Sequence, residues 1–93
     1  MNDQLEEFRA QIDALDIELI DVLARRMDVV RKVGELKAKD GISVVQAERA
    51  QAVKDRAARM GLAKGLNDTF VRQIYDLMID HAHDLERDIK DVR

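Results

Sequence analysis

The first part of the chain carries a single helical pattern that continues far beyond the usual length of a helix in a globular protein. The chain contains no Pro, and apolar residues recur every three or four positions, which is the spacing of an amphipathic helix. Asp3 and Glu6 resemble a capping box, and Asp40-Gly41 supplies a stop signal. The sequence therefore predicts a first helix over residues 4–39.

Two further helices are indicated by signals at their ends. Ser43 and Gln46 form a second capping-box pattern, which opens a helix that ends at Gly61. The Asn67-Asp68 pair then supplies an N-cap for the last helix. The predicted second and third helices cover residues 44–60 and 68–91.

The composition agrees with a fold built from helices. Of the 93 residues, 46% are hydrophobic and only 3% are aromatic, which is too apolar for a disordered chain and favours helices over strands. No repeat or low-complexity segment divides the sequence. We therefore predict an all-α fold in one domain over residues 1–93.

Charge and residue bias exclude several classes of partner. The formal net charge is -3, and no basic stripe is present to release counterions from a phosphate backbone, so no nucleic acid is expected. The acidic first residues lack the features of a secretion signal, and no apolar run is long enough to cross a bilayer. We expect a cytoplasmic protein with no membrane partner. The chain has no Cys, which removes disulfides and thiolate chemistry.

The length of the first helix predicts a homodimer. At 1.5 Å per residue it spans about 54 Å, whereas a compact domain of this size is only about 30 Å across. Its apolar positions continue into the half that would project, so that half also needs burial. They are Leu5, Phe8, Ile12, Leu15, Leu19, Leu23, Met27, Val30 and Val33. The economical solution is an intertwined homodimer of three-helix protomers, whose long helices cross and share one core.

Three cations share the apolar face of this helix. At about 100° per residue, Arg9, Arg26 and Lys37 fall within the apolar stripe, where Asp16 is the only carboxylate of the helix. Each cation could form an interior salt bridge or extend its charged end to solvent. Three together favour an anionic ligand, because burying an unpartnered cation costs several kcal/mol. Two Arg and one Lys suit a small dicarboxylate.

Arg9 lies too far along the helix to bind the same small molecule within one chain. It precedes Arg26 by seventeen residues, or about 25 Å at the helical rise. In a crossed dimer, however, Arg9 of one subunit can approach Arg26 and Lys37 of the other. The predicted site is therefore composite, with two sites per dimer.

Four short motifs along nearly the whole chain resemble the all-helical class of chorismate mutases, the chorismate mutase type II family. They are Arg9 followed by IDALD, LARR ending at Arg26, GELK ending at Lys37, and AER containing Glu48. The resemblance implies an intertwined homodimer that rearranges chorismate to prephenate, a step of the shikimate route to aromatic amino acids. It also implies that neither a cofactor nor a metal takes part.

The resemblance further implies a role for each matching residue. Arg9 of the partner subunit and Arg26 would each bind a substrate carboxylate. Lys37 would contact both a carboxylate and the ether oxygen of the bond that breaks. Glu48 would accept a hydrogen bond from the substrate hydroxyl, and Glu86 would face the ether oxygen.

The chain departs from the family pattern at three positions. Val44 stands where relatives carry an aspartate near the substrate hydroxyl, so only its backbone could make that contact. Ala82 occupies a position that can be Ser, which removes a possible hydroxyl contact to a carboxylate. Glu86 stands where many members have Gln, and its side chain can donate a hydrogen bond only when it is protonated.

Several alternatives remain open. Isochorismate pyruvate-lyases and 4-amino-4-deoxychorismate mutases resemble the same pattern, and a non-catalytic helical dimer belongs to a different class. His81 and His83 lie about 200° apart on a helix and cannot bind one metal ion together. We expect His83 to be solvated, and Arg49 to lie on a solvated or dimer-edge face.

Overall fold

The computed structural model describes residues 2–92, in which all regular elements are helices. These helices are α1 (Asp3–Asp40), α2 (Ala47–Ala63) and α3 (Asp68–Val92). No strand occurs in this part of the chain. The predicted all-α fold with three helices is confirmed.

Helix α1 begins one residue earlier than predicted. Asn2, rather than Asp3, is the N-cap, and its side-chain oxygen accepts a hydrogen bond of 3.0 Å from the backbone N–H of Leu5. At the other end, Gly41 adopts the left-handed conformation with φ 67°, which glycine enters without the steric penalty of a Cβ. The predicted stop signal therefore ends the helix.

Both predicted ends of the second helix are wrong. The helix begins at Ala47 rather than residue 44, because Val44 is buried and its carbonyl accepts a hydrogen bond of 2.7 Å from the Lys37 ammonium. The segment before Ala47 is thereby held outside the helix. The helix continues past Gly61, where a Cβ would lie 2.8 Å from Cγ2 of Val71. Gly61 therefore permits close packing of α2 on α3 instead of ending α2.

Helix α3 packs against both other helices and is joined to α2 by ion pairs. Arg72 lies 2.7 Å from Asp55 of α2 and 2.9 Å from Asp68 of its own helix. Hydrogen bonds from Arg72 and Gln51 hold the pKa of Asp55 below its ordinary value. The link therefore persists wherever carboxylates are ionised, and it is lost only as the pH falls through that lowered pKa.

The first half of α1 extends away from the other two helices. The protein measures 58 × 26 × 14 Å and has a radius of gyration of 17.0 Å, against about 12 Å for a compact chain of this length. The apolar side chains in this half remain exposed, with exposed fractions between 43% and 61%. They are Leu5, Phe8, Ile12, Leu15 and Leu19. None of the helices within residues 2–92 has the length and apolarity required to cross a membrane.

Candidate active site

A cavity of about 420 Å³ opens where the second half of α1, the segment before α2 and the inner faces of α2 and α3 converge. Its walls are largely apolar, and a few polar side chains point into it. A site of this size with few polar groups is typical of a small-molecule pocket. The polar lining residues are Arg26, Lys37, Gln46, Arg49, His83 and Glu86.

Lys37 and Glu86 form an ion pair inside this cavity. The Lys37 ammonium lies 2.7 Å from Oε1 of Glu86, and the two side chains are only 15% and 5% exposed. The alignment falls short of a hydrogen bond, and Oε1 accepts none from the described residues. The pair is therefore an electrostatic contact that leaves a buried carboxyl oxygen able to bond with a ligand.

Close packing of α1 on α3 brings this pair together. A Cβ at Gly34 would lie 3.2 Å from Cα of Glu86 and 3.1 Å from Cδ1 of Ile89. Because Gly34 has no side chain, the two helices approach at this point. Lys37 follows one helical turn later on the same face, opposite Glu86. The glycine of the GELK motif thus serves the geometry of the site.

Arg26 also lines the cavity, and an aromatic ring of α3 supports it. Its guanidinium carbon lies 5.8 Å from the centre of the Tyr75 ring, within the range of a cation–π interaction. The side chain is half-buried, so its charged end is restricted to one region of the cavity wall. The structure therefore places Arg26, Lys37 and Glu86 in the lining of one cavity.

Arg9 lies outside this cavity. Its side chain is 61% exposed on the projecting half of α1 and forms an ion pair of 2.9 Å with Glu6. Within a single chain it cannot reach a ligand between Arg26 and Lys37. Its assignment to the site stays a prediction that depends on a second chain.

The α2 residues that face the cavity differ from the predicted one. Gln46, Arg49 and Ala50 line it, whereas Glu48 does not. One residue along a helix turns the side chain by about 100°, so Glu48 and Arg49 of the AER motif point in different directions. Arg49 is exposed, as expected, and its side chain also borders the cavity. The three- and four-residue spacing from Gln46 was the signal that could have found it.

Three other residues line the cavity: Val44, Ala82 and His83. Val44 and Ala82, both predicted to be near the substrate, are buried and line the cavity. Val44 already offers its carbonyl to Lys37. His83 was expected to be solvated, but it is half-buried and lines the same cavity.

The sequence also matches a family description, that of chorismate mutase type II, over residues 8–87. The chain belongs to the chorismate mutase type II family. The family and its relatives named as mutases indicate an enzyme of the isomerase class. The cavity that gathers the motif residues Arg26 and Lys37 is accordingly the candidate active site of this family member.

Three relatives of this family member illustrate the different enzyme names that similar proteins carry. One is the 4-amino-4-deoxychorismate mutase of Streptomyces venezuelae, 38% identical over 76 residues, which are 82% of this chain and 74% of the relative. Chorismate mutase of Methanocaldococcus jannaschii is 25% identical over 87 residues, 94% of this chain and 88% of the relative. Isochorismate pyruvate lyase of Pseudomonas aeruginosa is 31% identical over 75 residues, 81% and 73% of the two chains. Membership alone therefore does not select the substrate.

In this mutase family member the charges in the cavity favour an anion with two negative charges. Arg26, Lys37 and Arg49 are the cations among its described lining residues, and Glu86 is the single carboxylate. Because Glu86 already balances Lys37, the two guanidinium groups provide the excess positive charge. Guanidinium forks bind carboxylates through paired hydrogen bonds.

Proposed function

We propose that this protein is a chorismate mutase, which converts chorismate to prephenate by an intramolecular pericyclic rearrangement. The observation that carries the proposal is the buried Lys37–Glu86 pair at the end of a cavity that also holds Arg26 and Arg49. Chorismate is a dianion with an ether oxygen between its two carboxylate-bearing parts. The cavity offers guanidinium groups for the carboxylates and a hydrogen-bond donor for the oxygen.

Conformational restriction is the first source of catalysis in this proposal. The enolpyruvyl arm of chorismate must fold over the ring before the new carbon–carbon bond can form. Arg26 and Arg49 lie on different helices, so carboxylates bound to both would hold the arm and the ring in one relative orientation. Such fixation of reacting groups can lower a barrier by several kcal/mol. No nucleophile, metal or redox cofactor is required for this reaction.

Electrostatic stabilisation of the ether oxygen is the second source. Negative charge grows on this oxygen as the carbon–oxygen bond lengthens, so a donor aimed at it stabilises the transition state more than the substrate. Lys37 is the proposed donor, and Glu86 can add a second hydrogen bond while it is protonated. Gln46 replaces Glu48 as the proposed contact for the ring hydroxyl, because Glu48 lies outside the cavity.

The active form in this proposal is an intertwined homodimer. The protein exposes 7289 Å², whereas a compact monomer of this mass exposes about 5,500 Å². The excess of roughly 1,800 Å² per chain, doubled for two chains, falls in the range of obligate homodimer interfaces. Pairing the projecting halves of α1 would cover their apolar side chains. It would also carry Arg9 of the partner subunit toward the cavity.

The second candidate function is rearrangement of the 4-amino analogue of chorismate, favoured by the 38% identity to the Streptomyces venezuelae enzyme. The purified protein should be incubated separately with chorismate, 4-amino-4-deoxychorismate and isochorismate while each substrate is followed by absorbance and its product by chromatography. We expect prephenate from chorismate at the highest kcat/KM. Faster turnover of the amino compound, or release of pyruvate from isochorismate, would replace the first proposal with one of the others.

Replacement of Tyr75 tests how Arg26 is positioned. The variant Tyr75→Leu removes the ring beneath the guanidinium, an interaction worth about 0.5–2 kcal/mol, so KM for chorismate should rise about two- to thirtyfold. Tyr75→Phe keeps the ring face and serves as the matched control, with KM near the starting value. Steady-state kinetics measures both variants. An unchanged KM for Tyr75→Leu would show that the ring does not support Arg26 in the complex.

The variant Glu86→Gln tests the donor role of Glu86. A carboxylate can only accept a hydrogen bond, whereas an amide donates one whatever the pH. If donation at this position stabilises the transition state, kcat of Glu86→Gln should equal or exceed that of the unsubstituted protein in steady-state kinetics with chorismate. A markedly lower kcat in a folded Glu86→Gln variant would exclude the donor role of Glu86.

A further inference from the structure

His83 stands on the face of α3 that forms one wall of the cavity. The wall residues of this helix are Ile79, Ala82, His83 and Glu86, which follow the three- and four-residue spacing of a single helical face. The imidazole is half-buried. It precedes Glu86 by one helical turn, so it lies on the same wall as the carboxyl group of the ion pair.

The charges that face His83 from the surrounding elements are mostly positive. Arg26 and Lys37 come from α1 and Arg49 comes from α2, while Glu86 is the carboxylate of its own helix in the lining. Glu86 is already paired with Lys37. The net charge of these lining groups is therefore positive. A bound dianion offsets that charge, because it places two negative charges among the same groups.

We propose that His83 is a substrate-binding residue that donates an imidazole N–H to a carboxylate of the dianionic ligand. This inference rests on the proposed function, from which the class of ligand, a dianion, is taken. Protonation of His83 and binding of the dianion then reinforce each other, and thermodynamic linkage makes the coupling equal in both directions. The ligand binds more tightly as the pH falls through the range of about 5 to 8 in which imidazoles titrate.

His81 provides a natural control in the same helix. It lies two residues earlier and borders a different groove, between α1 and α3, with Met27 and Leu77 among its neighbours. The charged residues in that groove, Asp28 and Arg31, pair with each other at 2.9 Å. A dianion bound in the main cavity therefore lies outside the groove that His81 borders.

The first test follows both imidazoles of the full chain by NMR during a pH titration, with and without isophthalate, a ring dicarboxylate that cannot rearrange. We expect saturating isophthalate to raise the midpoint of the His83 titration by about one pH unit, which corresponds to about tenfold coupling. The midpoint for His81 should not move. Equal shifts of both residues, or no shift of His83 when ligand is bound, would overturn the proposal.

The second test compares H83Q and H81Q in steady-state kinetics with chorismate. For the unsubstituted protein and H81Q, KM should rise at least about threefold between pH 6 and 8, whereas H83Q should lose that rise. An unchanged KM profile in H83Q would refute the assignment, because the amide that replaces the imidazole does not titrate.

The two tests separate this inference from the proposed function. If the protein fails to convert chorismate but isophthalate still shifts His83 alone, the proposed reaction is wrong and the binding role of His83 stands. If chorismate is converted and His83 does not respond, only the binding role is wrong. A protein that binds neither compound would overturn both.

Discussion

The variant Ile12→Asp should abolish the homodimer and, with it, all measurable mutase activity. Ile12 lies in the middle of the apolar stripe on the projecting half of α1 and is 55% exposed in one chain. In a two-fold symmetric dimer the same position is buried from both subunits, so each dimer would have to bury two carboxylates at a cost of several kcal/mol each. Sedimentation velocity, helical circular dichroism and turnover of chorismate measure the result together.

Ile17 offers the matched control on the same helix. It is 74% exposed, and a rotation of about 100° per residue places it outside the stripe that holds Ile12. The variant Ile17→Asp should therefore remain a dimer with nearly full activity. A fully active monomer of Ile12→Asp would refute both the homodimer and the composite site. Loss of the dimer in both variants would mean that the interface is not confined to the stripe that holds Ile12.

Features of the fold that depend on a few neighbouring residues could be predicted from the sequence. Gly41 ends α1, and the Asn67 side chain caps α3 by accepting a hydrogen bond of 2.9 Å from the Phe70 N–H. The start of α2 could not be predicted in this way. It depends on Lys37 bonding to the Val44 carbonyl, a contact between segments whose relative position is known only after the chain has folded.

The same contrast between local contacts and contacts of distant segments explains which site residues could be predicted from the sequence. Arg26 and Lys37 could be placed together because both belong to one helix, whose periodicity fixes their relative direction. Glu48 was preferred over Arg49 because a motif match does not specify which neighbour of a pair faces inward. The close approach at Gly34 that sets Lys37 against Glu86 required the packing of two helices. The cavity lining therefore had to come from the structure.

Lys37→Met should remove nearly all catalysis, with kcat reduced by at least about 10²–10³-fold. The ammonium is the proposed donor to the ether oxygen, and loss of one donor to a developing oxyanion typically has an effect of this size. The substitution also leaves Glu86 buried without its ion-pair partner. Since Glu86 is only 4% exposed, removal of its partner is expected to destabilise the fold as well, by up to about 3–5 kcal/mol.

A double variant separates these two effects. In Lys37→Met/Glu86→Gln the unpaired carboxylate is gone, so the free energy of unfolding should recover most of its loss while kcat stays low. Denaturant unfolding and single-turnover kinetics on the two variants measure the separation. Recovery of activity together with stability would mean that Lys37 serves the fold alone, which is the expectation for a non-catalytic helical dimer.

A mixture of two inactive variants tests whether the site is composite. Arg9→Ala and Lys37→Met would each inactivate both sites of their own homodimers. In a heterodimer formed from the two, one site would carry both substitutions and the other neither, because Arg9 and Lys37 of a given site come from different chains. Unfolding and refolding a 1:1 mixture should therefore restore about one quarter of the unsubstituted activity, since half of the randomly paired dimers are mixed. If Arg9 acted within its own chain, every site would retain one defect and no activity would return.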